Sequence, residues 1–277
     1  MKKLSLFLSI CLCVITLSRP LLARTASPLH PDRSYTYKIV HNLPLHLYIF
    51  YPKSKATHSA IVFFHGGGWM RGKPRQFFRQ ASYLAAHGML AVSVEYRTKT
   101  LDGSTPKEAL MDAKSAMRWV RAHAKELEID PHRIAASGGS AGGQLAADTA
   151  LNTTINDPED NLSVSPKPNA LILFNPVIDN GPGGYGYRRV KGYWREFSPM
   201  ELIRAPMPPT LIMIGDHDHL IPLSTIEEFA HKIRETGARC DLYVFERANH
   251  GFFNHAEYRA EIRKILYSFL KSIGYIE

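Results

Sequence analysis

Cysteine is scarce in this chain, and the scarcity excludes a fold built on disulfides. Of the three cysteines, Cys11 and Cys13 lie inside an apolar N-terminal run. That leaves Cys240, and a single thiol closes no intramolecular bridge. Cys240 opens an apolar strand pattern and reads as a small core residue. Neither Cys11 nor Cys13 stands just past the run behind small residues, where a lipid-carrying cysteine would be. There is also no long basic cluster behind the formal charge of +9. Arg71, Lys73, Arg75, Arg188, Arg189 and Lys191 are scattered and not interleaved with aromatics. This excludes nucleic acid as an expected partner and leaves only a general attraction to anionic polymers or membrane surfaces. No segment after the N-terminal run is apolar enough for a membrane span, and no internal repeat is present.

The N-terminal run itself reads as an export signal over residues 1–23. Lys2 and Lys3 give it a positive start, and Leu4 to Leu17 is too short to span a bilayer comfortably. Cleavage after Ala23, Thr25 or Ala26 fits, and an uncleaved signal anchor is the alternative. Removing Lys2, Lys3 and Arg19 takes the formal charge from +9 to +6. The expectation is a secreted or periplasmic protein with no stable membrane span once the leader is removed. Residues 24–35 read as a linker, and residues 36–277 as one catalytic domain. About 250 residues suffice for a single substantial core. The oligomeric state is left open.

Within the domain, Val40 to Tyr51 alternates as an edge hairpin would. Short apolar runs then recur at 59–64, 89–94, 134–137, 170–174, 210–214 and 241–245. Helical patterns separate them at 77–86, after Pro106, after Ser140, at 224–235 and at 256–273. Apolar strands alternating with helices predict an α/β fold, a mostly parallel sheet covered on both faces. The stretch from Asp179 to Phe197 is rich in glycine and tyrosine. It reads as a loop or small insertion, so the cap is small or absent. Ligands on such sheets bind beyond the carboxyl ends of the strands.

The candidate chemistry falls at those ends. Ser137-Gly138-Gly139-Ser140-Ala141-Gly142 is a G-x-S-x-G turn between a strand and a helix. Such a turn presents the Ser140 hydroxyl as a nucleophile and sets the Ala141 amide at a helix N-terminus. The expected base is His250, in the loop after the last strand. The expected acid is Asp218 in Gly215-Asp216-His217-Asp218-His219, with Asp216 as the alternative. Asp216, His217, Asp218 and His219 also suggest a metal site, but no distant third ligand accompanies them. No metal or organic cofactor is expected. His65-Gly66-Gly67-Gly68-Trp69 offers free backbone amides, and Gly67 and Gly68 join Ala141 as expected oxyanion donors. Trp69 is either a wall of the substrate site or plain packing. Tyr185, Tyr187 and Trp194, with Tyr193, are candidates to stack on sugar rings or to close an apolar acyl pocket.

At these residues the chain resembles the α/β-hydrolase superfamily, and within it the carboxylesterases with an HGGG oxyanion loop. It looks most like the BD-FAE-type and hormone-sensitive-lipase-like esterases. The likeness runs from about residue 36 to the C-terminus. It is carried by His65 to Trp69, Glu95-Tyr96-Arg97, Asp112 with Arg118-Trp119-Val120, Asp130 to Ile134, the Ser140 turn, Ser198-Pro199, the Asp218 loop and His250-Gly251. The resemblance implies Ser140, Asp218 and His250 as a catalytic triad, with an oxyanion hole from Gly67, Gly68 and Ala141. It also implies structural rather than catalytic roles for Asp112, Tyr96 and Arg97. Two departures stand out. Gly139 replaces the acidic residue that many relatives carry before the nucleophile, and the long N-terminal cap of the lipase-like members is missing.

The function expected is a serine hydrolase of short-acyl carboxylic esters, with acetylated or feruloylated carbohydrate among the substrates. A serine peptidase of the same fold is the nearest alternative. A non-catalytic carbohydrate-binding protein on the same scaffold is another.

Overall fold

The computed structural model describes residues 29–53 and 58–277. The expected leader, residues 1–23, lies outside the described residues. The chain enters on a hairpin in which β1 (Arg33–Val40) and β2 (Leu43–Phe50) pair antiparallel across His41 and Asn42. β1 therefore begins inside the stretch expected as linker, and Val40 to Tyr51 supplies only the second strand of the hairpin. The reason lies in burial. β1 is an edge strand whose residues are half-buried or exposed, so its sequence lacks a continuous apolar face.

Six further strands follow: β3 (His58–Phe64), β4 (Leu90–Val94), β5 (Ile129–Gly139), β6 (Ala170–Phe174), β7 (Thr210–Gly215) and β8 (Cys240–Phe245). The eight strands form one sheet in the order β1-β2-β4-β3-β5-β6-β7-β8. β2 meets β4 antiparallel, and every pairing from β4 to β8 is parallel. The central strands β3, β4, β6 and β7 lie between two apolar layers, which is why they read as unbroken apolar runs. Side chains alternate between the layers. Val62, Phe64, Ile134, Ala136, Leu171 and Leu173 face one, and Ile61, Phe63, Ala135, Ile172 and Phe174 face the other.

Helices α1 (Phe78–Ala85) and α5 (Arg259–Ser272) cover one face; α2 (Pro106–Ala122), α3 (Ala141–Leu151) and α4 (Leu223–Glu235) cover the other. α2 starts on a capping box in which Thr105 and Glu108 satisfy each other's backbone amides, with Pro106 in the first turn. Its Asp112 is fully buried but well neutralised. It receives the Arg97 guanidinium through bonds of 2.7 and 2.8 Å and the Arg97 amide at 2.9 Å. Lys38 of β1 approaches the same carboxylate at 2.9 Å. This cluster ties the edge strand, the loop after β4 and α2 together, so Asp112 and Arg97 brace the fold. Among the described residues no helix is long and apolar enough to cross a membrane.

Candidate active site

The turn between β5 and α3 holds Ser140 at φ 54 and ψ −120, a strained conformation for a residue with a Cβ. The strain persists because the flanking glycines pack backbone on backbone. A Cβ on Gly138 would lie 2.2 Å from the Gly142 carbonyl oxygen, and one on Gly142 would lie 2.1 Å from that of Phe64. The turn is therefore clamped between its own helix and the end of β3. The Ser140 amide donates to the Phe174 carbonyl at 3.0 Å, which pins the turn to β6 as well.

His250 follows β8 and reaches back across the strand ends. The Ser140 hydroxyl donates to its Nε2 at 2.8 Å. Nδ1–H donates to the Asp218 carboxylate, at 2.7 Å to Oδ2 and 3.0 Å to Oδ1. Asp218 Oδ1 also accepts from the amides of Leu220 (2.9 Å) and Ile221 (3.0 Å), which orient a carboxylate whose side chain is 0% exposed. Asp216, His217 and His219 of the same loop are exposed to solvent. The structure thus brings together Ser140, His250 and Asp218, and leaves Asp216 apart from them.

The glycine loop after β3 is fixed by hydrogen bonds of its own. The Gly67 carbonyl accepts from the amides of Met70 at 3.1 Å and Arg71 at 3.2 Å. That turn requires φ near +120 at Gly67, where a Cβ would fall 1.9 Å from the Arg71 carbonyl oxygen. The Gly66 amide is taken by Gln76 Oε1 at 2.6 Å. Gly67 and Gly68 line the cleft over Ser140, and Ala141 is the first residue of α3, whose amide has no acceptor within the helix. His65 Nδ1–H donates to the Gly66 carbonyl at 2.9 Å, and its ring stacks on Tyr96 at 4.1 Å. Burial lowers its pKa to about 4, so near neutral pH it is an uncharged brace for the loop.

The cleft has a volume of about 510 Å³. Tyr185 lines it, whereas Trp69, Tyr187 and Trp194 do not. Trp69 is 1% exposed and packs edge-on against Phe197, and its indole N–H donates to Gln144 of α3 at 3.2 Å. Of its two expected roles, the structure gives it packing. Residues 179–197 contribute Tyr185 and Arg189 to the cleft lining. They carry two short helical turns, Tyr187–Val190 and Trp194–Phe197, anchored by buried Val190 and Phe197. This anchoring turns Trp194 toward Gly181 and the guanidinium of Arg195, away from the cleft.

Two residues at the site escape sequence reasoning. Asn175 directly follows β6 at φ 33, fully buried, with Nδ2 3.3 Å from both ring nitrogens of His250. An atom equidistant from both at that range lies over the imidazole face, because Cε1 blocks the in-plane approach. Asn175 therefore covers the ring and limits its rotation. Its only sequence signal is a polar residue closing an apolar strand before Pro176. Phe253 is the second. Its ring stacks on Phe77 at 5.3 Å and occupies the space beside Gly139, where a Cβ would meet it at 2.3 Å. The space a side chain at position 139 would need is thus taken by an aromatic ring.

That crowding gives a stability prediction. Gly139→Ala is expected to destabilise the fold by about 1–3 kcal/mol through overpacking. In a Phe253→Ala background the same change should cost much less, as a double-mutant cycle by urea unfolding would show. An equal cost in both backgrounds would remove the collision as the cause.

A family profile described as BD-FAE matches residues 47–182, and one described as prolyl oligopeptidase family matches residues 183–274. An acetylxylan esterase of Xylanibacter ruminicola is 28% identical over 231 residues, covering 77% of this chain and 45% of that protein. A probable carboxylic ester hydrolase, LipM, of Mycobacterium tuberculosis is 28% identical over 220 residues, covering 70% of this chain and 49% of that protein. The chain spans about half the length of these two relatives. Among solved structures, the apo form of Thermogutta terrifontis esterase 2 superposes with a TM-score of 0.86 at 40% identity, covering 92% of this chain and 99% of that one. The same esterase with propionate bound gives 0.83 at 40% identity, covering 88% and 95%.

Proposed function

This chain belongs to the α/β-hydrolase superfamily, among its BD-FAE-like esterases, and from that premise we propose that it is a serine carboxylic ester hydrolase working through Ser140, His250 and Asp218. The observation that carries the reading is the continuous hydrogen-bonded line from the Ser140 hydroxyl through His250 to the buried Asp218 carboxylate. His250 takes the hydroxyl proton as Ser140 Oγ bonds to the ester carbonyl carbon. The carbonyl electron pair moves onto oxygen, where the amides of Gly67, Gly68 and Ala141 receive it. Collapse breaks the bond to the alcohol oxygen, and His250 returns the proton to that alcohol. Water, activated by the same histidine, then releases the acid and restores Ser140. Asp218 holds the tautomer that makes this possible.

Short acyl groups and acylated carbohydrate are the proposed substrates, met outside the cell if the leader exports the chain. A cleft of about 510 Å³ beside a packed 179–197 segment, and a neighbour solved with propionate, support the first. The acetylxylan esterase relative and the cleft-lining ring of Tyr185 support the second. The test is kcat/KM across acetyl to dodecanoyl esters of one alcohol, with acetylated xylan and a feruloyl ester beside them. The expected maximum falls between acetyl and butyryl, since each further CH₂ gains about 0.8 kcal/mol only if apolar surface covers it. A maximum at octanoyl or longer would refute the short-acyl reading. The prolyl oligopeptidase match favours a peptidase as the second reading. A peptidyl 4-nitroanilide cleaved more efficiently than any ester would replace the first reading with the second.

A further inference from the structure

The cleft over Ser140 is one-sided in charge. Arg71 and Arg189 both line it, and among the described residues no aspartate or glutamate does. Arg189 is exposed, with its guanidinium carbon 5.6 Å from the centre of the Tyr185 ring and Nη1 3.5 Å from the Gly68 carbonyl oxygen. This sets a cation beside the loop that receives the oxyanion. Arg71, on the same loop, is exposed, and among the described residues neither arginine is paired with a carboxylate. Thr100 borders both this cleft and a second hollow of about 540 Å³, which carries Lys73 and Arg75. Glu95 is the one carboxylate lining that hollow among the described residues, against these two cations. Positive charge therefore continues away from Ser140 along the glycine loop.

Guanidinium groups fit planar anions in a fixed fork and keep their charge at every working pH. An uncompensated pair also raises the local concentration of anions. We infer that the ester hydrolysed here carries an anionic group, a carboxylate being the best fit, within reach of Arg71 or Arg189. The inference rests on the ester-hydrolase reading and names the charge of its substrate. The carboxylate stands either on the acyl part, as in the half-ester of a dicarboxylic acid, or on the alcohol part.

Two matched pairs separate these sources. Mono-4-nitrophenyl glutarate against 4-nitrophenyl pentanoate tests the acyl side, and 4-acetoxybenzoate against 4-acetoxybenzamide tests the alcohol side. Each kcat/KM is divided by the rate with hydroxide alone. At low ionic strength the anionic member is expected to win by about tenfold in one pair, the size two partly exposed charge contacts supply. The advantage should shrink near 1 M salt, where screening acts within about 3 Å. It should fall several-fold in Arg71→Gln or Arg189→Gln. Because Arg189 also stands beside the oxyanion loop, the ratio within a pair is the readout rather than either rate. A ratio near or below one in both pairs overturns the inference while leaving the esterase reading intact. So does a high ratio that both variants and salt leave untouched. Failure to hydrolyse any of the four esters overturns the esterase reading, and the inference with it.

Discussion

Pure Ser140→Ala protein is expected to lose about 10⁶-fold in kcat on a short activated ester, the loss found when a triad nucleophile is removed. Its fold should survive. Alanine keeps the Cβ, so the cost of φ 54 is unchanged, and only the one hydroxyl bond to His250 disappears. A melting temperature near that of the parent protein would establish this. The clamp that holds the turn is made by Gly138 and Gly142 against backbone, and none of it depends on the hydroxyl. Retention of more than about one percent of kcat would sink the assignment, since what remains after losing a triad member is far smaller.

Asp218→Asn should cost about 10⁴-fold in kcat, the loss that follows from a wrong histidine tautomer. The surroundings dictate which way the new amide turns. Oδ1 of Asp218 accepts from the amides of Leu220 and Ile221, so the asparagine oxygen takes that place. Its NH₂ then faces His250 Nδ1 and forces the ring proton onto Nε2. There it meets Ser140 as a donor, and the base is gone. Asp216→Asn, on an exposed side chain of the same loop, should change kcat by only a few-fold. Steady-state kinetics of the two variants side by side decide the matter, and the reverse ranking would reassign the acid.

Legibility in the sequence followed burial. Strands covered on both faces, such as Ile61 to Phe64 and Leu171 to Phe174, are written as apolar runs and needed no further context. β1 is covered on part of one face, and its alternating tyrosines and charged residues look like a linker. Site residues fixed by local backbone geometry were legible too, because Gly138, Gly142 and Gly67 occupy places where a Cβ would strike main chain. Asn175 and Phe253 act through contacts with residues far along the chain. No local pattern encodes that a ring at 253 fills the space beside Gly139, or that an amide at 175 covers the ring at 250. The aromatics of residues 179–197 divide for a related reason. Composition marked them as ring surfaces, but only packing decides which ring faces the cleft, and that ring is Tyr185.

The contacts that align Ser140 with His250 and His250 with Asp218 join residues 110 and 32 positions apart. The base sits in the loop after the last strand, beyond every other element except α5. A ribosome-bound chain that already holds the entire nucleophile turn therefore holds no functioning site. The long closure must also wait for the parallel pairings between, which form slowly. In refolding, regained hydrolysis should lag behind regained helix signal, which makes turnover a sensitive late clock for completion of this sheet.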